Sequence, residues 1–191
     1  MTPIALVTGS SSGIGKGIAK ELVESGYIVY INGRNNETVQ ETCKEFGEMG
    51  KPLVCDMGDP NEIQGALKQI ISEQNKLDLV VANIGSGRSM PGWDIPLEEY
   101  QRMFNINLFG AIKLCTEATY HLKNNGGQII FISSIAGCES VSGAPLPYTV
   151  AKAGLLSFAK SYSFEVAKHK IRINTISPGN TLFQGSVWDK K

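Results

Sequence analysis

A glycine-rich turn that directly follows a short apolar stretch limits the possible folds of this chain more than any other feature. Residues 4–8 are mostly apolar and uninterrupted, as expected for a strand buried on both faces of a sheet. The chain continues as Gly9-Ser10-Ser11-Ser12-Gly13-Ile14-Gly15, and apolar side chains then recur at helical spacing. Small residues at such a strand-to-helix turn let the backbone approach a phosphate, and the helix N-terminus offers unpaired N–H groups. The stretch therefore predicts an α/β fold with a phosphate-binding turn.

Short strand-like runs alternate with longer amphipathic runs along the whole chain. The predicted strands are residues 4–8, 27–31, 51–55, 77–82, 128–133 and 171–176, and the predicted helices are residues 14–25, 37–49, 61–74, 97–124 and 148–168. This alternation favours right-handed crossovers and a parallel sheet covered by helices on both faces. Because no repeat, linker or low-complexity tract interrupts the pattern, residues 1–191 are predicted to form one doubly wound domain of the Rossmann type.

The composition argues against several classes of protein. Acidic and basic residues number 18 each, so no excess charge would attract nucleic acid or an anionic membrane. Four widely spaced cysteines and two histidines make a metal site or a disulfide framework unexpected, and we predict reduced, mostly buried thiols. No run approaches the ~20 apolar residues of a membrane helix, and the short N-terminal apolar stretch lacks a preceding basic region. We expect a soluble, cytoplasmic protein without a metal.

The turn after the first strand is the predicted binding site for the pyrophosphate of a dinucleotide. Its spacing is G-x-x-x-G-x-G rather than the G-x-G-x-x-G of larger Rossmann dehydrogenases. A merely flexible glycine-serine turn is the alternative, which the flanking strand and helix disfavour. The predicted contacts are Gly9, Ser11, Ser12, Gly13, Ile14 and Gly15.

The end of the second predicted strand indicates which dinucleotide would bind. An Asp or Glu at this place would accept hydrogen bonds from the 2′-hydroxyl of the adenosine ribose. The chain instead reads Asn32-Gly33-Arg34-Asn35, with no carboxylate and one guanidinium, which suits a 2′-phosphate. We therefore predict NADP(H) rather than NAD(H), with Arg34 as the phosphate ligand. The alternative is that Arg34 is a solvated turn residue.

Residues after the third and fourth strands complete the predicted cofactor site. Asp56 can hydrogen-bond an adenine amino group, and Met57 is its neighbour. The chain must also pass close to the cofactor at Asn83, Ile84 and Gly85. All these segments follow the carboxyl ends of strands, where ligands bind in open α/β sheets.

A serine, a tyrosine and a lysine follow the cofactor segments. Tyr148 and Lys152 lie one helical turn apart, on the same face of a predicted helix. A cation ~4 Å away, at an effective dielectric of ~20, contributes about 4 kcal/mol, enough to favour an ionised phenol near neutral pH. Ser134, at the end of the fifth strand, can hold a substrate oxygen for hydride and proton transfer. The alternatives are a core tyrosine, a solvated lysine and a serine that only caps its strand.

In their order along the chain these segments resemble the short-chain dehydrogenase/reductase family, and the match extends over essentially the whole sequence. The motifs are Thr8-Gly9-x-x-x-Gly13-x-Gly15, Asn83-Ile84-Gly85, Asn105-Ile106-Asn107, Ile132-Ser133-Ser134, Tyr148-x-x-x-Lys152 and Pro178-Gly179. The resemblance implies that Tyr148 is the general acid/base and Ser134 orients the substrate. Lys152 would favour the ionised phenol and bind the nicotinamide ribose. Asn107 would position a water in a proton relay, unless it is an ordinary polar residue of the long helix.

The chain departs from the family pattern in three places. Ile84 replaces the usual alanine, and a larger side chain would crowd the adenosine side or reshape the turn. Beyond the cofactor contacts implied at Pro178 and Gly179, the family often has a threonine where this chain has Phe183, which leaves Thr181 as the carboxamide contact. The family also continues into a substrate lid, another helix and a seventh strand, whereas this sequence stops at Lys191.

The resemblance implies an NADP(H)-dependent oxidoreductase that interconverts a secondary alcohol and a ketone. Reduction of a 3-oxoacyl-(acyl carrier protein) is the first expectation, and a sugar or nucleotide-sugar substrate is the alternative, suggested by the polar loop Gly85-Ser86-Gly87-Arg88-Ser89. Arg88 could bind an anionic group on either substrate, so the loop does not decide between them. A non-catalytic dinucleotide-binding protein or an inactive fragment is the rival of another class. The family also implies a homodimer or homotetramer built on the helices at residues 97–124 and 148–168.

Overall fold

The computed structural model describes residues 2–183 and Ser186, and residues 1, 184–185 and 187–191 of the predicted domain lie outside the described part. Six strands and six α-helices follow one another in the described chain. The strands are β1 Ile4–Val7, β2 Ile28–Gly33, β3 Gly50–Val54, β4 Leu79–Ala82, β5 Gly127–Ile132 and β6 Ile171–Ile176. The helices are α1 Gly13–Glu24, α2 Asn36–Phe46, α3 Pro60–Gln74, α4 Leu97–Phe104, α5 Gly110–Leu122 and α6 Leu146–Val166.

The strands form one parallel sheet in the order β3-β2-β1-β4-β5-β6. The order runs outward in both directions from β1 and β4, so the chain crosses over in opposite directions on either side of this pair. Such a switch point leaves a crevice at the carboxyl ends of the two strands. The predicted doubly wound parallel sheet is confirmed, and its crevice opens at the glycine-rich turn.

Side chains of β1 alternate between the two faces of the sheet and so belong to two separate apolar clusters. Ile4 and Leu6 pack with residues of α3, α5 and α6, whereas Ala5 and Val7 pack with residues of α1 and α2. All four side chains are at most 2% exposed. This two-sided burial explains why the strand reads as a continuous apolar run rather than as an alternating one.

The predicted long helix at residues 97–124 is wrong as a single element. Helix α4 ends at Phe104, a π-helical turn spans Asn105–Phe109, and α5 then begins at Gly110, whose N–H reaches back five residues to the carbonyl of Asn105. Within this wider turn the Asn107 side-chain amide donates to the Met103 carbonyl at 3.0 Å. Because the turn adds only one residue to the helical repeat, apolar periodicity could not reveal it.

Other helix and strand boundaries differ from the predictions by a few residues.

The four cysteines differ in how far they are exposed to solvent. Cys43 and Cys115 are buried, and half-buried Cys55 packs against the apolar core, whereas Cys138 is exposed, so the prediction of burial fails at this last thiol. Over residues 2–183 and 186, no helix is both long enough and apolar enough to cross a membrane.

Candidate active site

The turn between β1 and α1 depends on glycines at three of its positions. Gly9 and Gly13 adopt φ values of +62° and +57°, in the left-handed region that side chains disfavour. A Cβ atom at Gly15 would lie 2.3 Å from the Gly9 carbonyl oxygen. The first turn of α1 therefore packs backbone to backbone against the loop, as close phosphate binding requires.

The N-terminus of α1 is suited to an anion. Within α1, all of whose residues are described, no acidic side chain lies in the first turn, and the N-cap Ser12 makes no side-chain capping bond. The first N–H groups and the positive end of the helix dipole are thus left for a ligand. A pyrophosphate group fits this arrangement.

Three buried polar residues, for which the sequence indicated no bracing role, hold the turn and the loop after β4 in place. Asn32 on β2 is fully buried, and its side chain accepts from the Gly9 N–H at 3.1 Å and donates to the Leu53 carbonyl at 3.1 Å. The Ser10 hydroxyl accepts from the Asn32 N–H at 2.9 Å. Thr8 accepts from the N–H of Asn83 at 2.8 Å. The predicted strand at residues 27–31 ended before Asn32, and only the structure shows this asparagine within β2, where that residue type is disfavoured.

A cleft of about 890 Å³ extends from this turn across the ends of β2, β3 and β4, and we call it the large cleft. It brings together eight of the predicted cofactor residues from four separate segments. These are Gly9, Ser11, Ser12, Arg34, Asp56, Asn83, Ile84 and Gly85. The cleft has the position and the glycine-lined floor that a dinucleotide needs.

Arg34 lies at the rim of the large cleft, paired with Asp56. Their side chains approach to 3.7 Å, and the Arg34 side chain is 80% exposed. Asp56 is also held by the Gly58 N–H, which donates to it at 2.8 Å. An exposed ion pair of this length contributes little to stability, so Arg34 is available to a stronger anionic partner.

A few predicted cofactor residues lie elsewhere. The Met57 side chain is 2% exposed and packs in the apolar core, so it does not line the large cleft as predicted. Thr181 and Gly13 lie with Phe183 along the outer surface of α1, where a Cβ at Gly13 would lie 2.9 Å from the Phe183 ring. Thr181 is therefore not brought to the catalytic residues, because the chain after Gly179 turns back over α1.

A smaller pocket of about 160 Å³ adjoins the large cleft, and we call it the small pocket. Asn83, Gly85 and Ser86 line both. Ser134, which follows β5, and Tyr148 and Lys152 of α6 all line it. The loop after β6 contributes Pro178 and Gly179. Its predicted residues are Ile14, Asn83, Gly85, Ser134, Tyr148, Lys152, Pro178 and Gly179.

Lys152 lies almost completely buried beside Tyr148. The whole residue is 3% exposed. Its Nζ donates to the Ile132 carbonyl at 2.8 Å and lies 5.8 Å from the centroid of the Tyr148 ring. Burial lowers the pKa of the Lys152 amine to about 8. Part of the cost of burying this cation is offset by the carbonyl and the ring face.

The two adjacent serines at the end of β5 have different contacts. The Ser133 hydroxyl is buried and donates to the Lys152 carbonyl at 3.0 Å. The Ser134 hydroxyl instead accepts from the Ala136 N–H at 3.2 Å, which leaves its own hydrogen for a ligand in the small pocket. Of the pair, Ser134 is therefore the serine placed to donate to a substrate oxygen.

Gly137 determines how closely this serine turn approaches α6. A Cβ at Gly137 would lie 2.7 Å from the Lys152 backbone carbonyl carbon. The short 3₁₀ turn Ile135–Gly137 thus packs directly on the helix that carries Tyr148 and Lys152. Sequence reasoning missed this glycine because its packing partner lies far along the chain.

Asn107 lies beside Lys152 across a glycine. A Cβ at Gly85 would be 2.7 Å from Asn107 Oδ1 and 3.0 Å from Lys152 Nζ, so only glycine fits between them. Asn107 is fully buried, accepts from the Ser86 N–H at 2.9 Å and donates to the Ser86 carbonyl at 3.1 Å. Its side chain fixes the loop after β4, so a water in a relay would need a backbone group of this turn.

Comparisons with known proteins agree with this architecture. The sequence model of the family described as short chain dehydrogenase matches residues 3–187. Carbonyl reductase family member 4 of Xenopus laevis is 36% identical over 180 residues, which cover 94% of this chain and 75% of that protein.

Solved structures give the same result. A short-chain type dehydrogenase/reductase from Mycobacterium marinum superposes with a TM-score of 0.88 at 31% identity, covering 93% of this chain and 74% of that one. A 7α-hydroxysteroid dehydrogenase, solved with NADH and 7-oxo glycochenodeoxycholic acid, has a TM-score of 0.87 at 26% identity, covering 93% and 69% of the two chains. With its phosphate-binding turn, its Tyr148–Lys152 pair and these relatives, the chain belongs to the short-chain dehydrogenase/reductase family of oxidoreductases.

Proposed function

We propose that this oxidoreductase uses NADP(H) to interconvert a secondary alcohol and a ketone. The observation that carries the proposal is the small pocket, where Ser134, Tyr148 and buried Lys152 converge next to the large cleft. A binding protein without activity would not need a buried amine beneath an accessible phenol, since that amine costs stability. A nicotinamide placed where the two cavities meet would supply or accept the hydride.

Each protein group has a task in the reductive direction. The Ser134 hydroxyl donates a hydrogen bond to the ketone oxygen and holds it near the Tyr148 hydroxyl. Tyr148 then gives its proton to that oxygen as charge develops there, and the Lys152 ammonium stabilises the phenolate left behind. Asn107 keeps Ser86 at the wall of the pocket. The backbone of its π-helical turn would hold the relay water that the family resemblance implies for reprotonation of Tyr148.

The choice of NADP(H) depends on Arg34. Its weak, exposed pairing with Asp56 leaves the guanidinium able to turn toward a 2′-phosphate at the end of β2. Gly33 leaves room for the ribose phosphate beside Arg34. A Cβ at this position would lie 2.6 Å from the Ser11 hydroxyl and would narrow the large cleft. Asp56 would then take the adenine amino group.

For the substrate we propose a ketone next to an acyl chain, as in a 3-oxoacyl thioester. The relative named carbonyl reductase supports the reductive direction for this chain. The exposed Arg88, in the loop after Gly85, favours an anionic substrate, and a phosphorylated sugar or nucleotide-sugar shares that property with an acyl carrier.

We also propose a homodimer or homotetramer. Apolar side chains are exposed on and beside α5 and α6, the helices that the family resemblance assigns to an interface. They include Phe109, Tyr120, Val150 and Phe164, which are between 49% and 75% exposed.

The proposal is tested by NADPH and NADH titration followed by a ketone screen. We expect NADPH to bind more tightly than NADH, and Arg34→Asp to weaken NADPH binding about ten- to hundredfold while sparing NADH. Acetoacetyl thioesters should oxidise NADPH with the wild-type protein and not with Tyr148→Phe. NADH preference would overturn the role of Arg34, and failure to bind either dinucleotide would overturn the proposal as a whole.

A further inference from the structure

The segment between β4 and α4 is long and irregular, yet it is hydrogen-bonded at several points. Residues 83–96, all described, form no helix or strand. Irregular connections of this length are uncommon in compact domains and are usually functional or disordered. Ser86 and Gly87 line the small pocket, so the position of this loop determines the shape of one wall of the pocket.

The first anchor of the loop is Asn107 in the π-helical turn, which binds both the N–H and the carbonyl of Ser86. It fixes only the start of the loop. Without further contacts the following residues would be ordered only when a substrate arrives, and ordering a backbone costs roughly 1–2 kcal/mol per residue.

The second anchor is Glu99 in the first turn of α4. One carboxylate oxygen accepts from the Ser89 hydroxyl at 2.7 Å and from the Met90 N–H at 3.4 Å. The other oxygen accepts from Arg102 Nε at 2.7 Å. Arg102 Nη2 donates to the first oxygen, also at 2.7 Å, so that two hydrogen bonds join the guanidinium and the carboxylate. The Glu99 side chain is 13% exposed.

Arg102 connects this carboxylate to the loop backbone. Its Nη2 also donates to the Arg88 carbonyl at 2.9 Å, and the Arg88 N–H donates to the Ser86 hydroxyl at 3.2 Å. A continuous chain of hydrogen bonds therefore runs from buried Asn107 through Ser86 and Arg88 to Arg102. Hydrogen bonds from Arg102 and Ser89 lower the pKa of Glu99 to about 2, so the carboxylate stays ionised at any ordinary pH.

We propose that Glu99 and Arg102 are positioning residues for the substrate, a clamp that keeps residues 86–90 in place and with them Ser86 and Gly87, which form a wall of the small pocket. Neither side chain lines the small pocket, so the clamp acts through the loop that they hold. When the loop is already ordered, substrate binding does not include the free-energy cost of ordering it. The clamp should therefore increase substrate affinity. This inference rests on the proposed function, because it assigns the loop to the ketone substrate.

The test compares Glu99→Ala with Glu98→Ala. Both glutamates lie in the first turn of α4, so the change in charge near the helix dipole is the same. Glu98 is exposed and, within residues 2–183 and 186, has no side-chain hydrogen bond or ion pair, which makes it a matched control. Ser89→Ala removes a single bond to the clamp and should give a smaller effect than Glu99→Ala.

For Glu99→Ala we expect the KM for an acetoacetyl thioester to rise about five- to twentyfold, with kcat changed less than about twofold. Hydrogen exchange of the Met90 amide and its loop neighbours should accelerate about tenfold, while amides of β4 stay protected. The NADPH dissociation constant and the melting temperature should match those of Glu98→Ala.

Several results would overturn the clamp. They are equal exchange rates in the two alanine variants, faster exchange with an unchanged KM, or a joint loss of kcat, cofactor affinity and melting temperature. A wild-type protein that turns over no ketone would instead count against the proposed function, and loop exchange in the apo variants would still decide whether Glu99 orders the loop.

Discussion

The large cleft and the small pocket lie side by side but are built by different means. One side of the large cleft is the glycine-rich turn, whose backbone is shaped by Gly9, Gly13 and Gly15 and braced by Asn32. In the small pocket the proposed reacting groups are side chains, and Lys152, Ser134 and Tyr148 come from two elements that meet through Gly137. Damage to the glycine-rich turn should therefore abolish cofactor binding, whereas loss of the Tyr148 or Ser134 hydroxyl should abolish turnover and leave cofactor binding close to wild type.

Among the variants that test this comparison of the two cavities, Tyr148→Phe is expected to have the largest effect. Loss of the phenolic proton should lower kcat about 10²- to 10⁴-fold, since general acid catalysis contributes that much. The half-buried ring keeps its packing, so NADPH affinity and unfolding free energy should stay close to wild type. Steady-state kinetics, fluorescence titration and urea unfolding check the three quantities. A parallel loss of NADPH binding would mean that the two cavities are not separable.

Gly15→Ala tests the large cleft in the same way. The new Cβ would lie 2.3 Å from the Gly9 carbonyl oxygen and 2.6 Å from Asn83 Nδ2, so the turn must shift. Overpacking of this kind costs about 1–3 kcal/mol of stability, and dinucleotide binding should be lost.

Gly17→Ala is its matched control, because Gly17 lies two residues further along α1 and its Cβ would meet no atom within 4 Å. This variant should bind the cofactor normally and gain about 0.5–1 kcal/mol of stability. Equal binding by both variants would contradict the close-packed turn, as measured by titration and urea unfolding.

Gly137→Ala applies the same perturbation to the small pocket. Its Cβ would lie 2.7 Å from the Lys152 carbonyl carbon and 2.9 Å from the Ala153 nitrogen, which pushes the Ser134 turn away from α6. We expect kcat to fall about tenfold or more, because misplacement by a fraction of an ångström is costly in catalysis, while the NADPH dissociation constant stays within about twofold. Gly65→Ala in α3, with open space around its Cβ, provides the control. Loss of binding without loss of kcat would reverse the assignment of the two cavities.

The free energy of unfolding should also depend on pH through Lys152 of the small pocket, and this effect should be smaller than those of the variants above. Burial lowers the pKa of Lys152 to about 8, so between that pH and the ~10.4 of a free lysine the unfolded chain binds more protons than the folded one. Stability should therefore rise with pH across this window, by about 2 kcal/mol between pH 7 and 10. Lys152→Met should lose this increment in urea unfolding. Identical pH profiles would mean that the amine is not buried in its charged form.

The contrast between the cavities also explains what the sequence could predict. The alternation of strand-like and helix-like runs, the glycine-rich turn and the Tyr148-Lys152 spacing are local patterns. The alternation predicted the doubly wound fold, and the motifs at the strand ends predicted many of the residues now found in the two cavities. The π-helical turn was missed because one extra residue hardly changes a helical repeat. The braces at Asn32 and Gly137 were missed because each depends on contacts that only the folded chain creates.

Thr181 and Met57 show how little position along the chain says about where a side chain lies. Both were assigned by their distance along the chain from a motif, and the structure places one over α1 and the other in the core. A loop after a strand end can turn either way, and an apolar side chain next to a ligand segment gains more from burial than from exposure. Position next to a motif is therefore a weaker guide than the motif itself.

The most direct test of the proposed chemistry is to follow the hydride itself. NADPH deuterated at C4, in separate preparations for each face, would be incubated with an acetoacetyl thioester and the wild-type protein or Tyr148→Phe, and the alcohol analysed by mass spectrometry. We predict that the wild-type product carries deuterium from one face only and that the variant forms almost no product. Absence of deuterium from the wild-type product with either label, or equal product from Tyr148→Phe, would contradict the proposed function.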